Sequence, residues 1–121
     1  MNKNVFKLLV VLHSFFCLVF VILALAEGDF VMKHPVPFWK GLFVIVANLS
    51  GAICFGTLIP ITAMLPNMLS EVADANLSTK EFIKQIPKVY RVVVVISGFF
   101  SLLTSPYHLY LLIQHALTGK Y

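Results

Sequence analysis

Three uncharged runs, Leu8–Ala26, Gly41–Ser70 and Val92–Gly119, take up 19, 30 and 28 residues of this 121-residue chain. An apolar stretch of about 18 or more residues without charge is long enough to cross a bilayer as a helix. The nine basic and five acidic residues are confined to positions 1–7, 27–40, 71–91 and Lys120. Charged residues make up 12% of the chain, against about 25% in soluble domains. A soluble enzyme, a disordered tail and a nucleic-acid binder are all excluded by this pattern. The expected fold is an all-α integral membrane protein, with spans at about 6–26, 38–65 and 88–117. At roughly 20–28 residues per span, about 45 residues remain. Residues 1–121 are therefore read as one three-helix membrane domain with no soluble domain.

The net charge of +4 then follows from orientation, because Lys and Arg collect on the cytoplasmic side of membrane helices. Lys3, Lys7, Lys80, Lys84, Lys88 and Arg91 fall on one side, and Lys33, Lys40 and Lys120 on the other. The bias places the N-terminus and the 66–91 loop inside, with the 27–37 loop and the C-terminus outside. The expected location is a bacterial inner membrane or an organellar energy-transducing membrane.

Ala24-Leu25-Ala26 after an apolar run is reminiscent of a signal-peptide cleavage site. The run of 19 residues exceeds the roughly 7–15 of a signal core, so a retained first span is expected. Cys17 and Cys54 lie within spans and read as small buried hydrophobes rather than a disulfide framework. Glu27-Gly28-Asp29 marks the end of span 1, and His34-Pro35-Val36-Pro37 forms a stiff connector. Proline suits the first turn of a helix, so span 2 starts near Pro37, with Phe38 and Trp39 at headgroup level.

Span 2 carries two small-xxx-small pairs, Ala47/Gly51 and Ala52/Gly56. Such pairs let helix backbones approach closely where lipid offers no hydrophobic drive to pack. Span 2 is thus the expected packing helix, kinked near its inner end by Pro60. Beyond it, Ser78-Thr79-Lys80-Glu81 fits a capping box, predicting a short amphipathic interfacial helix near 79–86. Pro87 separates this piece from span 3. Asn76-Leu77-Ser78 matches a glycosylation sequon, read as unused because the loop is expected inside. Pro106 divides span 3 into pieces too short to span separately, so one long kinked helix is expected.

Ionisable groups within spans are the first place to look for function. None of the three uncharged runs carries Asp, Glu, Lys or Arg, which leaves His13, His108 and His115. At about 1.5 Å of rise per residue, His13 lies ~10 Å from the inner end, His108 ~25 Å and His115 ~36 Å. Two axial ligands to one haem need similar depth, so no haem is expected within this chain alone. Haem b or a quinone would require a second subunit, with His108 or His13 as this chain's contribution. The general plan of three short spans with a histidine is similar to the haem-bearing anchors of succinate dehydrogenase, by analogy only.

The alternative use of these groups is hydrogen bonding between helices. Asn48 comes out level with His108 and should face it. Thr57, Thr62 and Ser97 lie near the depth of His13, which should meet Thr57 or Ser97. His115 and His34 share the outer interface with Glu27 and Asp29, with no spacing that fixes a metal site, so no metal is expected. Tyr107, Tyr110 and Tyr121 fit an aromatic belt. No Walker loop, CxxC pair, HExxH or nucleophile elbow occurs.

These readings point to a non-catalytic accessory subunit of a larger membrane complex, respiratory or photosynthetic in the first instance. Its partners would be other integral membrane subunits and the lipid bilayer. The alternative is an electron-transport anchor contributing a haem ligand or quinone site. A small oligomeric carrier or channel is the second alternative, and would need a polar lining that no span supplies.

Overall fold

The computed structural model describes residues 3–75 and 78–121, with side-chain surroundings for 4–70 and 78–121. The chain folds into α1 (Lys3–Lys33), α2 (Phe38–Ala75), α3 (Thr79–Lys84) and α4 (Lys88–Thr118). Among the described residues there is no strand, and three helices are long and apolar enough to cross a membrane. Asn76 and Leu77 of the sequon lie outside the described residues.

The first helix does not end at Glu27-Gly28-Asp29. It continues to Lys33, and this corrects the sequence reading in which no span carries an acid. One glycine costs a helix only about 1 kcal/mol relative to alanine. Asp29 and Lys33 form an ion pair at 2.9 Å across one turn, and Lys33 complements the helix dipole in the last turn. The turn after α1 is closed by Val36 N–H donating to the His34 carbonyl at 2.9 Å. Pro37 then precedes α2, as its fixed φ favours.

α2 runs without interruption past Pro60 and Pro66 to Ala75, beyond the expected end near residue 65. α4 likewise continues through Pro106, as one helix rather than a hairpin. The short α3 begins where the capping box places it. Ser78 Oγ accepts from Glu81 N–H at 3.3 Å, and Glu81 Oε2 accepts from Ser78 N–H at 3.0 Å. Gly119 ends α4 with φ +72°, and its N–H donates to the His115 carbonyl at 2.8 Å. That left-handed conformation suits glycine and turns the chain so that Tyr121 lies back against α1.

α2 is the central helix, packing on α1 along one side and α4 along the other. Gly51 is buried and receives the Phe20 ring of α1, which leaves no room for a Cβ. Gly56 faces the Cys17 sulfur, and the Cys17 thiol donates to the Ala52 carbonyl at 3.4 Å. Ala47 is buried, whereas Ala52 is half-buried. Both cysteines are free. The Phe20 and Phe55 rings stack at 5.8 Å, and Phe16 stacks on Phe55 at 5.2 Å.

The distribution of side chains is the reverse of a soluble domain's. Leu25, Val95 and Leu102 are 71%, 70% and 78% exposed. The buried set includes Glu27, Asn48, Ser50, Thr62, Ser97, Thr104 and His108 alongside Val44, Ile61 and Leu111. Several hydroxyls satisfy themselves on their own helix: Thr57 donates to the Ile53 carbonyl, Ser97 to Val93, Thr104 to Phe100 and Ser105 to Ser101. Ser50 does the same through the Ala47 carbonyl, whereas Glu27, Asn48, Thr62 and His108 find partners on other elements.

Candidate functional site

The polar groups converge at the end of the bundle that carries the His34–Pro37 connector. Glu27 of α1 is 4% exposed, Asn48 of α2 is fully buried and His108 of α4 is 4% exposed. Each helix brings its residue inward for a local reason. Asn48 lies one residue beyond Ala47, on the buried face of α2 that continues at Gly51. His108 sits four residues after Thr104 and three before Leu111, both buried, so all three share one face of α4. Glu27 reaches that face because α1 stays helical for another turn and a half.

Three donors meet on the Glu27 carboxylate. Asn48 Nδ2 donates to Oε1 at 3.2 Å, and His108 Nε2 donates to the same oxygen at 2.9 Å. Tyr121 OH donates to Oε2 at 2.8 Å. Hydrogen bonds to a charged group are worth about 1.5–3 kcal/mol each, and they offset the cost of burying the carboxylate. Tyr121 lies beyond the last span, and burial pushes its hydroxyl above the ordinary tyrosine range. The bond to Glu27 and the charge of Glu27 act in the same direction.

An aromatic layer closes this end. The His115 ring stacks on Tyr121 at 4.5 Å and meets Phe30 edge-on at 4.6 Å, while His34 stacks on Phe30 at 3.9 Å. Trp39 stacks on Tyr107 at 5.6 Å and Tyr107 on Tyr110 at 6.0 Å, which makes a second aromatic group beside the first. His115 Nδ1 and Asn48 Oδ1 are buried without a hydrogen-bond partner. Among the described residues, no group of three or more His, Cys, Asp or Glu could hold a metal ion.

Asn48 and His108 thus come together, but through a shared acceptor on α1 rather than face to face. His13 hydrogen-bonds Thr62 Oγ1 through Nδ1 at 3.2 Å. Thr57 and Ser97, the partners expected for His13, bond to their own helix carbonyls instead. A threonine or serine in a helix can always reach back one turn, so depth alone does not select its partner. Glu27 is the residue that sequence reasoning missed. The same rise per residue that put Asn48 and His108 at ~25 Å puts Glu27 at ~31 Å, about one turn away.

No family model, curated protein or solved structure matches this chain.

Proposed function

We propose that this chain is a non-catalytic, three-helix integral membrane subunit that packs with other membrane subunits in a larger complex. The carrying observation is the fate of its polar groups. Glu27, Asn48, His108 and Tyr121 are engaged with one another, while the helix surfaces present Leu, Val, Ile and Phe. A surface of this kind suits lipid and the apolar faces of other membrane helices. On the charge bias given above, the N-terminus and α3 lie inside and the Glu27 end outside. Respiratory and photosynthetic assemblies are the first complexes to test. Native purification in mild detergent should bring other membrane proteins down with the chain. A chain that migrates alone and stays folded would refute the subunit reading.

One observation supports a second reading, an anchor that contributes a redox ligand. Thr62 fixes the His13 ring through Nδ1, and histidine ligands are commonly oriented by such a bond from the other ring nitrogen. His108 is less suited, since its Nε2 is already bonded to Glu27. A visible spectrum of the purified complex tests this reading. A Soret band lost in His13→Ala and kept in His108→Ala would favour it over the purely structural role. A carrier or channel has less support, because the groove between α2 and α4 is lined mainly by Val46, Leu49, Ile53, Val92, Ile96 and Phe100.

A further inference from the structure

The Glu27 cluster is built asymmetrically. An ionised carboxylate is acceptor-only, and donors from α2, α4 and the tail converge on it, two at Oε1 and one at Oε2. The Asn48 amide uses its NH₂ group on Glu27, and its oxygen is buried with no partner. An unpaired buried carbonyl is costly, yet the idle acceptor belongs to the very group that touches the carboxylate. Turning the amide over would present Oδ1 to Glu27. That contact is repulsive to a carboxylate and favourable to a carboxylic acid, which carries an O–H donor.

We propose that Glu27 is a proton-binding site with Asn48 as its two-state partner, and that proton uptake unfastens α4 from α1. One proton from water on the Tyr121 side adds to Oε1, taking the side chain from a charge of −1 to 0. The new O–H donates to Asn48 Oδ1 after the amide turns, so the Asn48 bond at Oε1 is reversed. His108 Nε2–H then faces a neutral oxygen, a weaker acceptor than the carboxylate. The mechanical consequence follows from where the helices touch. α1 packs along α2 and α2 along α4, and at this end α1 meets the α4–tail segment through Glu27 and through the Phe30 ring. Of these links, the His108–Glu27 bond is the one that a proton on Oε1 weakens.

The other ionisable groups around Glu27 are identified by their contacts. On α1, Asp29 is exposed and paired with Lys33. α2 contributes Asn48, which is uncharged. α4 contributes His108 and His115, the tail Tyr121 with Lys120 beside it, and the connector His34, which is stacked on Phe30. The test must separate these groups from Glu27. This inference is independent of whether the chain works as a subunit.

The experiment uses the full chain in lipid nanodiscs, with Cys17 and Cys54 replaced by alanine and spin labels at Met32 and Leu117. These two positions are 87% and 81% exposed at the connector ends of α1 and α4. Acidification from about pH 7 to about pH 2 passes well beyond the ordinary glutamate value of about 4.3 and should lengthen the measured separation by ~5 Å, the pitch of one helical turn. Glu27→Gln fixes the side chain neutral while keeping a donor for Asn48 Oδ1. It should hold the longer separation at both pH values. Infrared difference spectra of the unlabelled protein should show a protonated-carboxyl C=O band on acidification, lost in Glu27→Gln. A separation that does not change with pH, or that changes equally in Glu27→Gln, overturns the proposal. Should that variant fail to fold, the wild-type spectrum decides: a change in separation without a buried carboxyl band overturns it equally.

Discussion

Adding one methyl group at Gly51 tests the close packing of α1 on α2. A Cβ there would stand 2.7 Å from Phe20 Cδ1 and 2.8 Å from Cγ and Cε1. Carbon atoms prefer about 3.5–4.0 Å, so the ring must retreat by roughly 0.8 Å or the helices must part. The ring is also stacked on Phe55, and its retreat sacrifices part of that contact. Overpacking of this kind costs about 1–3 kcal/mol, against a gain of up to ~1 kcal/mol from replacing glycine in a helix. Gly28 supplies the control, since a Cβ there meets nothing within 4 Å. Gly28→Ala should leave stability unchanged or raise it by up to ~1 kcal/mol, and the difference between the two variants isolates the packing cost of about 1–3 kcal/mol. Reversible unfolding in mixed micelles, followed by far-ultraviolet circular dichroism, measures both. Phe20→Leu should recover most of the loss in a double-mutant cycle. Gly51→Ala unfolding no more easily than Gly28→Ala would refute the packing argument.

Three further outcomes follow from the cluster and its tail. Asn48→Leu removes one donor from a buried carboxylate and should cost about 1–3 kcal/mol in the same unfolding assay. Gly119→Ala forces an L side chain into the left-handed region at a cost of about 1–2 kcal/mol and should expose Tyr121 to quenchers of tyrosine fluorescence. Tyr121 carries a folded-state pKa above its unfolded value, so its stabilising contribution is complete below the unfolded tyrosine value of about 10. That contribution is lost as pH rises through the folded value, and Tyr121→Phe should remove this alkaline limb from a plot of stability against pH.

The helices were legible in the sequence because charge is excluded from Leu8–Ala26, Gly41–Ser70 and Val92–Gly119, whatever the packing. The start of α3 was legible because Ser78 and Glu81 satisfy each other's backbone donors locally. Glu27 was hidden by its neighbours: an acid followed by glycine and another acid looks like a helix terminus. Only the tertiary partners on α2, α4 and the tail make it tolerable inside one. The His13 partner was hidden for a different reason. Thr57, Thr62 and Ser97 lie at similar depth, and their choice between a helix carbonyl and His13 depends on rotation about the helix axes, which depth arithmetic does not contain.

The lengths of the helices bear on how this chain would sit in lipid. α1 and α4 have 31 residues each, about 46 Å at 1.5 Å per residue, against a hydrocarbon thickness of ~30 Å. In a membrane, the surplus of about 16 Å must be taken up by tilt or by protrusion into the headgroups. A thin bilayer leaves the Glu27 carboxylate among hydrated headgroups, and a thick one draws it toward hydrocarbon. Acyl-chain length would then set the dielectric around Glu27 and, with it, the strength of its bonds to His108 and Tyr121. The joint between the first and last helices would be a gauge of membrane thickness.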